Sequence, residues 1–327
     1  MNKGKYFILG FLILFLLTIF LCQETLSEVQ YPTQTISLVV GYQPGGPTDI
    51  IARVLAQEAK KYLGQEIQVV NKPGGGATVG VGAVVNSKPD GYTLGCSPTP
   101  PFILIPHLQD LPYDALRDTT PILSFGTFRI AAGVKTDSPF KAFKDYVEYA
   151  RANPSKVSYG HTGPGTRPDI VVQMIAHHEG IKLNYVPFHG DSPALTALLG
   201  GHVMAAGMNS GTLIPHVKAG DLRFLVILED DRLEEFPNVP SIKDLGYDYA
   251  LPLILLIYGP RGLPESISAK IGEAFGKATR SANFIRVAKE HELHTKRNML
   301  HKELIEYLIK EKARTGEILR KIGLGKK

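Results

Sequence analysis

The sequence predicts an α/β protein built as two lobes, and three observations carry that prediction. Short β-branched or aromatic runs alternate with segments of helical apolar periodicity along the chain, the pattern of parallel α/β layers. The 327 residues exceed what a single hydrophobic core ordinarily organises. One plan also occurs twice: LVVGYQPGGPTDIIARVLAQ (38–57) and VSYGHTGPGTRPDIVVQMIAH (157–177) each run from a strand through a Gly/Pro loop into an aliphatic helix. Each copy opens one lobe, and two such loops facing each other make a cleft with a helix start on either wall.

In the first lobe, the apolar run 36–40 is a strand. A Pro/Gly turn leads to a helix over 49–63, with Ile50, Ile51, Val54, Leu55 and Ala59 on one face and Gly64 to stop it. A strand over 67–70 follows, then NKPGGGATVG (71–80) with a small-residue helix to residue 86, and PDGYTLG (89–95) turning into a third strand. Residues 122–134 read as one or two further strands. The second lobe repeats the scheme, with a helix over 140–151 broken by Asn153-Pro154, a strand over 157–159 and a helix over 169–178. Strands over 183–186, 203–206 and 224–227 alternate with helices over 193–199 and 213–219. The apolar run 253–258 crosses back, and two amphipathic helices, 265–281 and 300–321, close the chain. The expected division is residues 28–130 for the first part of lobe 1, 131–252 for lobe 2, and 253–327 for the return segment and C-terminal helices of lobe 1.

Residues 1–27 read as a signal peptide. Lys3 and Lys5 precede an apolar run over 7–21 interrupted by Gly10 and Thr18, shorter than the roughly 20 residues a spanning helix needs. Cleavage is expected after Ser27; lipidation at Cys22 is the alternative, opposed by the bulky Leu21. The protein is thus expected in the periplasm or another extracytoplasmic space. Cleavage leaves Cys96 alone, which removes an internal disulfide and a cysteine metal site from consideration. The net charge of +5 is dispersed, with no basic stripe interleaved with aromatics, which argues against nucleic acid. There is no Gly-x-Ser-x-Gly elbow, and the ten histidines offer no i, i+4 pair for zinc. No catalytic residue, metal or cofactor is expected.

The loops carry the chemistry. In PGGPTD (44–49), Gly45 and Gly46 let backbone N–H groups approach a ligand. Thr48 or Asp49 is placed to cap the helix, whose start suits a carboxylate or phosphate; an ordinary capped turn is the other reading. NKPGGGATVG lacks the Gly-Lys-Ser/Thr of a P-loop and spaces its glycines poorly for a dinucleotide, so a loop beside the cleft is expected. GHTGPGTRPD (160–169) brings Thr162, Thr166 and Arg167 to the second helix. Arg167 is a candidate to grip a second anionic group on an extended dicarboxylate, against pairing with Asp169 or Asp191 or lying in solvent. In YVPFHGDSPA (185–194), Gly190 and Ser192 are anion donors and His189 a further candidate.

These segments, together with LPYDALRDTTPI (111–122), YARANPSKVSYG (149–160), LLGGHV (198–203), FPNVPSIKDLGY (236–247) and GPRGLPESI (259–267), resemble in order and spacing the substrate-binding proteins of tripartite tricarboxylate transporters, the Bug family. The resemblance spans residues 31–323. It implies a periplasmic binding-protein fold, two lobes joined by crossing strands, that closes on a small carboxylate and serves membrane transporter subunits as a monomer. Family ligands are tricarboxylates, dicarboxylates, acidic amino acids, aromatic acids or nicotinate. Carried over by position, it points to Gly45, Gly46, Thr48, Asp49, Thr162, Gly163, Thr166, Gly190 and Asn209, beside Arg167 and His189 from the loop reading. The chain departs from the family's usual residues at His161, Arg167, Asp169, His189 and Asp191, and has no tryptophan. A ligand sensor for a signalling receptor and a hydrolase or transferase on a two-lobe scaffold are the alternatives.

Overall fold

Two β-sheets organise the chain in the computed structural model, which describes residues 30–248, 251, 253–295, 298–321 and 323–326. The expected signal peptide and Cys22 lie outside these residues. From the amino end, β1 (Ile36–Val40) leads into α1 (Pro47–Leu63), β2 (Ile67–Asn71), α2 (Thr78–Val85), β3 (Thr93–Pro98), a short α3 (Pro100–Ile103) and β4 (Thr119–Phe128). Next come β5 (Ile130–Lys135), α4 (Phe143–Ala152), β6 (Ser158–His161), α5 (Arg167–Glu179) and β7 (Asn184–Pro187). They are followed by α6 (Asp191–Leu199), β8 (Ala205–Asn209), α7 (Ser210–Ala219) and β9 (Leu222–Ile227). The chain ends with β10 (Ile254–Pro260), α8 (Glu265–Ala278), α9 (Ala282–Glu290), β11 (Leu293–His294) and α10 (His301–Lys321).

The first sheet has the order β11-β4-β10-β3-β1-β2, and the second β7-β6-β8-β5-β9. β1 lies between β2 and β3 in parallel, and its near-continuous apolar run is what a strand covered on both faces requires. Helix α1 opens with Pro47, whose missing N–H costs nothing at the first helical position. It ends at left-handed Gly64, whose N–H returns to the Lys60 carbonyl at 2.9 Å. Its buried Ile51, Leu55 and Ala59 belong to the face that meets the sheet and the helices α8 and α9. In the second sheet β6 runs parallel to β7 and β8, and β5 runs antiparallel to β8 and β9. Leu198, Met208, Leu213, Phe224 and Ile227 form its core.

Two crossings join the sheets. β4 ends in the first sheet at Phe128 and β5 starts in the second at Ile130, with only Arg129 between them. The chain returns between β9 and β10. The crossings are bound side by side: Leu228 N–H donates to the Ile130 carbonyl at 2.8 Å, Ile130 N–H to Glu229 Oε1 at 2.8 Å, and Thr127 Oγ1 to the Leu253 carbonyl at 2.6 Å. The Arg129 guanidinium adds bonds to the carbonyls of Asp231 and Arg232. This is the expected two-lobe α/β architecture with crossing strands.

Several boundaries differ from expectation for one reason. α1, α5 and α6 each begin two residues before the predicted start, because Pro47, Pro168 and Pro193 fall within the first turn, where no N–H is needed. The tail also holds a helix that was not predicted, α9, capped by Ser281 Oγ accepting from Phe284 N–H at 3.1 Å. Among the described residues, no helix is long and apolar enough to cross a membrane.

Candidate functional site

Four helix starts meet in one cavity between the sheets. Gly46, Pro47 and Thr48 bring in α1; Thr166, Arg167 and Pro168 bring in α5; Gly190, Asp191 and Ser192 bring in α6; and Asn209 precedes α7. The residues at the cap positions are Gly46, Thr166, Gly190 and Asn209, and none makes a side-chain capping bond. The predicted capping of α1 by Thr48 or Asp49 does not occur. First-turn N–H groups and four positive dipole ends are therefore directed at the same space. Phe128, Ile130 and Leu253 from the crossings, with Pro98 and Pro100 after β3, supply apolar walls.

Aspartates hold both Gly/Pro loops in place. Asp49 Oδ2 accepts from Gly45 N–H and Arg53 Nε at 2.9 Å each, and Oδ1 from Asn71 Nδ2 at 2.8 Å. Asp169 Oδ2 accepts from Gly165 N–H at 2.8 Å, and Oδ1 from Gln173 Nε2 at 2.7 Å. The repeated sequence plan is thus a repeated hydrogen bond, donated to an aspartate by the backbone amide four residues before it. Burial pushes the Asp49 carboxyl up, but bonds from Arg53, Gly45 and Asn71 outweigh it and hold the group below its ordinary value.

The charged groups are already partnered. Arg167, 3% exposed, donates from Nη1 and Nη2 to the two Glu229 oxygens at 2.8 and 2.6 Å, and from Nη2 to the Leu228 carbonyl at 3.1 Å. The expectation of a free cation, or one paired with Asp169 or Asp191, is corrected here: Glu229, 62 residues downstream on the second crossing, takes the guanidinium. Only Nε is left without a partner. Asp191 is buried and accepts from Asn209 N–H at 2.8 Å and Thr212 Oγ1 at 3.0 Å. Burial raises its carboxyl above the ordinary value, partly offset by those bonds. Burial, and then the Asp191 charge, push the Tyr42 hydroxyl up, so it stays protonated. Asn209 Oδ1 is buried without a partner.

Of the residues predicted from sequence, Gly46, Thr48, Thr162, Thr166, Arg167, Gly190 and Asn209 line the cavity. Gly45, Asp49, Gly163 and His189 are not among its lining residues. Gly45 and Asp49 bond to each other, the Gly163 carbonyl accepts from Thr166 Oγ1 at 2.7 Å, and His189 is exposed. Tyr42, Gln43, Phe128, Ile130, Asp191 and Leu253 line the cavity without having been predicted. Tyr42 and Gln43 adjoin PGGPTD in sequence, and that adjacency was the available signal. The loop over 71–80 meets the opposite lobe. At Gly76, where φ is +63°, a Cβ would lie 2.7 Å from the Pro164 carbonyl and 3.2 Å from Thr166 Cγ2, so the backbones approach as only glycine permits.

Comparison with known proteins agrees with this architecture. The pattern of the tripartite tricarboxylate transporter family receptor matches residues 51–324. A Cupriavidus necator protein described as a UPF0065 protein in the gbd 5′ region is 35% identical over 255 residues, 78% of this chain and 77% of that one. A solved structure described as a periplasmic transporter superposes with a TM-score of 0.84 at 27% identity, covering 90% of this chain and 99% of the other. MatC from Rhodopseudomonas palustris, solved with bound malate, shares the fold at a TM-score of 0.81 and 24% identity, over 88% of this chain and all of that one. The chain belongs to the tripartite tricarboxylate transporter receptor family, whose members are periplasmic substrate-binding proteins and not enzymes.

Proposed function

We propose that this protein captures a small organic carboxylate between its lobes and presents it to the membrane subunits of a tripartite tricarboxylate-type transporter. The observation that carries this reading is the convergence of four helix starts without side-chain caps on one cavity. Each contributes roughly half a positive charge, which suits a carboxylate, although at α7 the Ser210 N–H is already given to the Arg129 carbonyl and the Asn209 N–H to Asp191. Thermal-shift screening of a panel containing malate, adipate, citrate and nicotinate, followed by calorimetry, tests it. The acid is expected to bind roughly 10- to 150-fold tighter than its fully amidated, uncharged analogue, the value of one charge-assisted hydrogen bond. Equal affinities would refute the carboxylate assignment.

Capture works by hinge closure. α1 stands on one lobe and α5, α6 and α7 on the other, so a ligand touching all four favours the closed arrangement through contacts the open one lacks. The bonded pair of crossings is the hinge. Gly76→Ala places a methyl against the Pro164 carbonyl, an overlap that exists only when the lobes meet. It is expected to weaken ligand binding roughly tenfold, the low end of an overpacking penalty. Small-angle scattering should show incomplete compaction with ligand. Unchanged affinity and compaction would remove this contact from the mechanism.

A further inference from the structure

We propose that the cavity is selective for organic acids bearing a single negative charge, and that Glu229 sets this limit by neutralising Arg167. The inference rests on the carboxylate reading above and concerns which carboxylates fit. Among the described residues lining the cavity, Arg167 is the one basic side chain and Asp191 the one acidic side chain. Both terminal nitrogens of Arg167 face the Glu229 carboxylate. Glu229 is fixed in turn by the Ile130 N–H on the neighbouring crossing, so a ligand does not displace it at low cost. The cavity therefore presents a neutral ion pair, not a free cation.

One carboxylate is well provided for by the helix N–H groups and by Arg167 Nε, buried and without a partner. A second meets only neutral donors such as Gln43, Thr48 and Ser192, and no free cation, because the Arg167 terminal nitrogens are taken by Glu229. The remaining surface includes Pro98, Pro100, Phe128, Ile130, Pro168 and Leu253, none of which stabilises a charge. The buried Asp191 carboxyl repels a further anion. The one unpartnered acceptor, Asn209 Oδ1, calls for a hydrogen-bond donor, which a carboxylate is not. A hydroxyl or carboxamide satisfies it.

The test uses the mature protein with isosteric pairs at neutral pH: succinate, glutarate and adipate against their monoamides. At the chain length that binds best, the monoamide is expected to bind about tenfold or more tightly than the diacid, the loss that follows burying an unpaired charge. Glu229→Gln keeps an acceptor for Ile130 N–H while releasing the Arg167 charge. It is expected to raise diacid affinity about tenfold relative to the monoamide. A purely structural role for Glu229 would change both affinities together and leave the ratio alone, which overturns the proposal. Wild-type protein binding diacids as tightly as monoamides overturns it without any variant and leaves the carboxylate reading intact. If no acid in the series binds, nor a simple monocarboxylate, the carboxylate reading itself falls.

Discussion

Arg167→Leu is expected to lower folding stability by about 3–5 kcal/mol, and adding Glu229→Leu to recover most of that loss. The guanidinium is almost fully buried and the Glu229 side chain is 16% exposed, so removing the cation strands a carboxylate in a place water scarcely reaches. The Ile130 N–H remains to Glu229, and one amide does not replace a bidentate guanidinium. The two residues come from α5 and the second crossing, so their bond fixes the helix start against the hinge. Urea unfolding of the single and double variants separates the coupling from the individual effects. A double variant no more stable than Arg167→Leu would show that packing of the long arginine side chain, not the ion pair, is what matters there.

The parts of this molecule legible in sequence are those dictated by local pattern. Buried strands read as apolar runs, as in 36–40, and helix starts read from Gly/Pro loops. The repeat of 38–57 in 157–177 disclosed two loops of one design, and both line the same cavity. Two kinds of information were not legible. Prolines in first turns moved helix starts, because proline breaks a helix in its interior and begins one at its end. Long-range partners were the other. Nothing near Arg167 announces Glu229, and nothing near Phe128, Ile130 or Leu253 marks them as cavity walls. Their roles follow from the crossings, which only the sheet topology defines. The glycine-rich 71–80 segment reads in sequence as a loop beside the cleft, without the spacing of a nucleotide loop. In the structure one of its glycines, Gly76, serves a close approach to the Pro164 carbonyl.

Asp49→Ala and Asp169→Ala are expected to cost about 2–4 kcal/mol each, with loss of ligand affinity in both. The two carboxylates make the same bond, to Gly45 N–H and to Gly165 N–H, and so hold the loop that turns each first-turn amide row toward the cavity. Alanine leaves those amides without acceptors. At Asp49 part of the loss is recovered by water, because its ion-pair partner Arg53 is 49% exposed and exposed pairs contribute little. Asp169 has no such relief, since its bond to Gly165 is buried, so Asp169→Ala is expected to be the more damaging. The pH dependence gives an independent check at Asp49. Its folded-state carboxyl titrates below the ordinary 3.8, so its contribution is complete above that value and disappears as pH falls through the depressed one. The deficit of Asp49→Ala relative to wild type should therefore be full at pH 7 and shrink on acidification below about pH 4. Asp49→Asn, which keeps an acceptor and loses the charge, should fall between the two. Denaturant titrations at pH 7, 5 and 3 decide the matter: a deficit that is constant, or that grows toward pH 3, would mean that Asp49 acts through its shape and not through its charge.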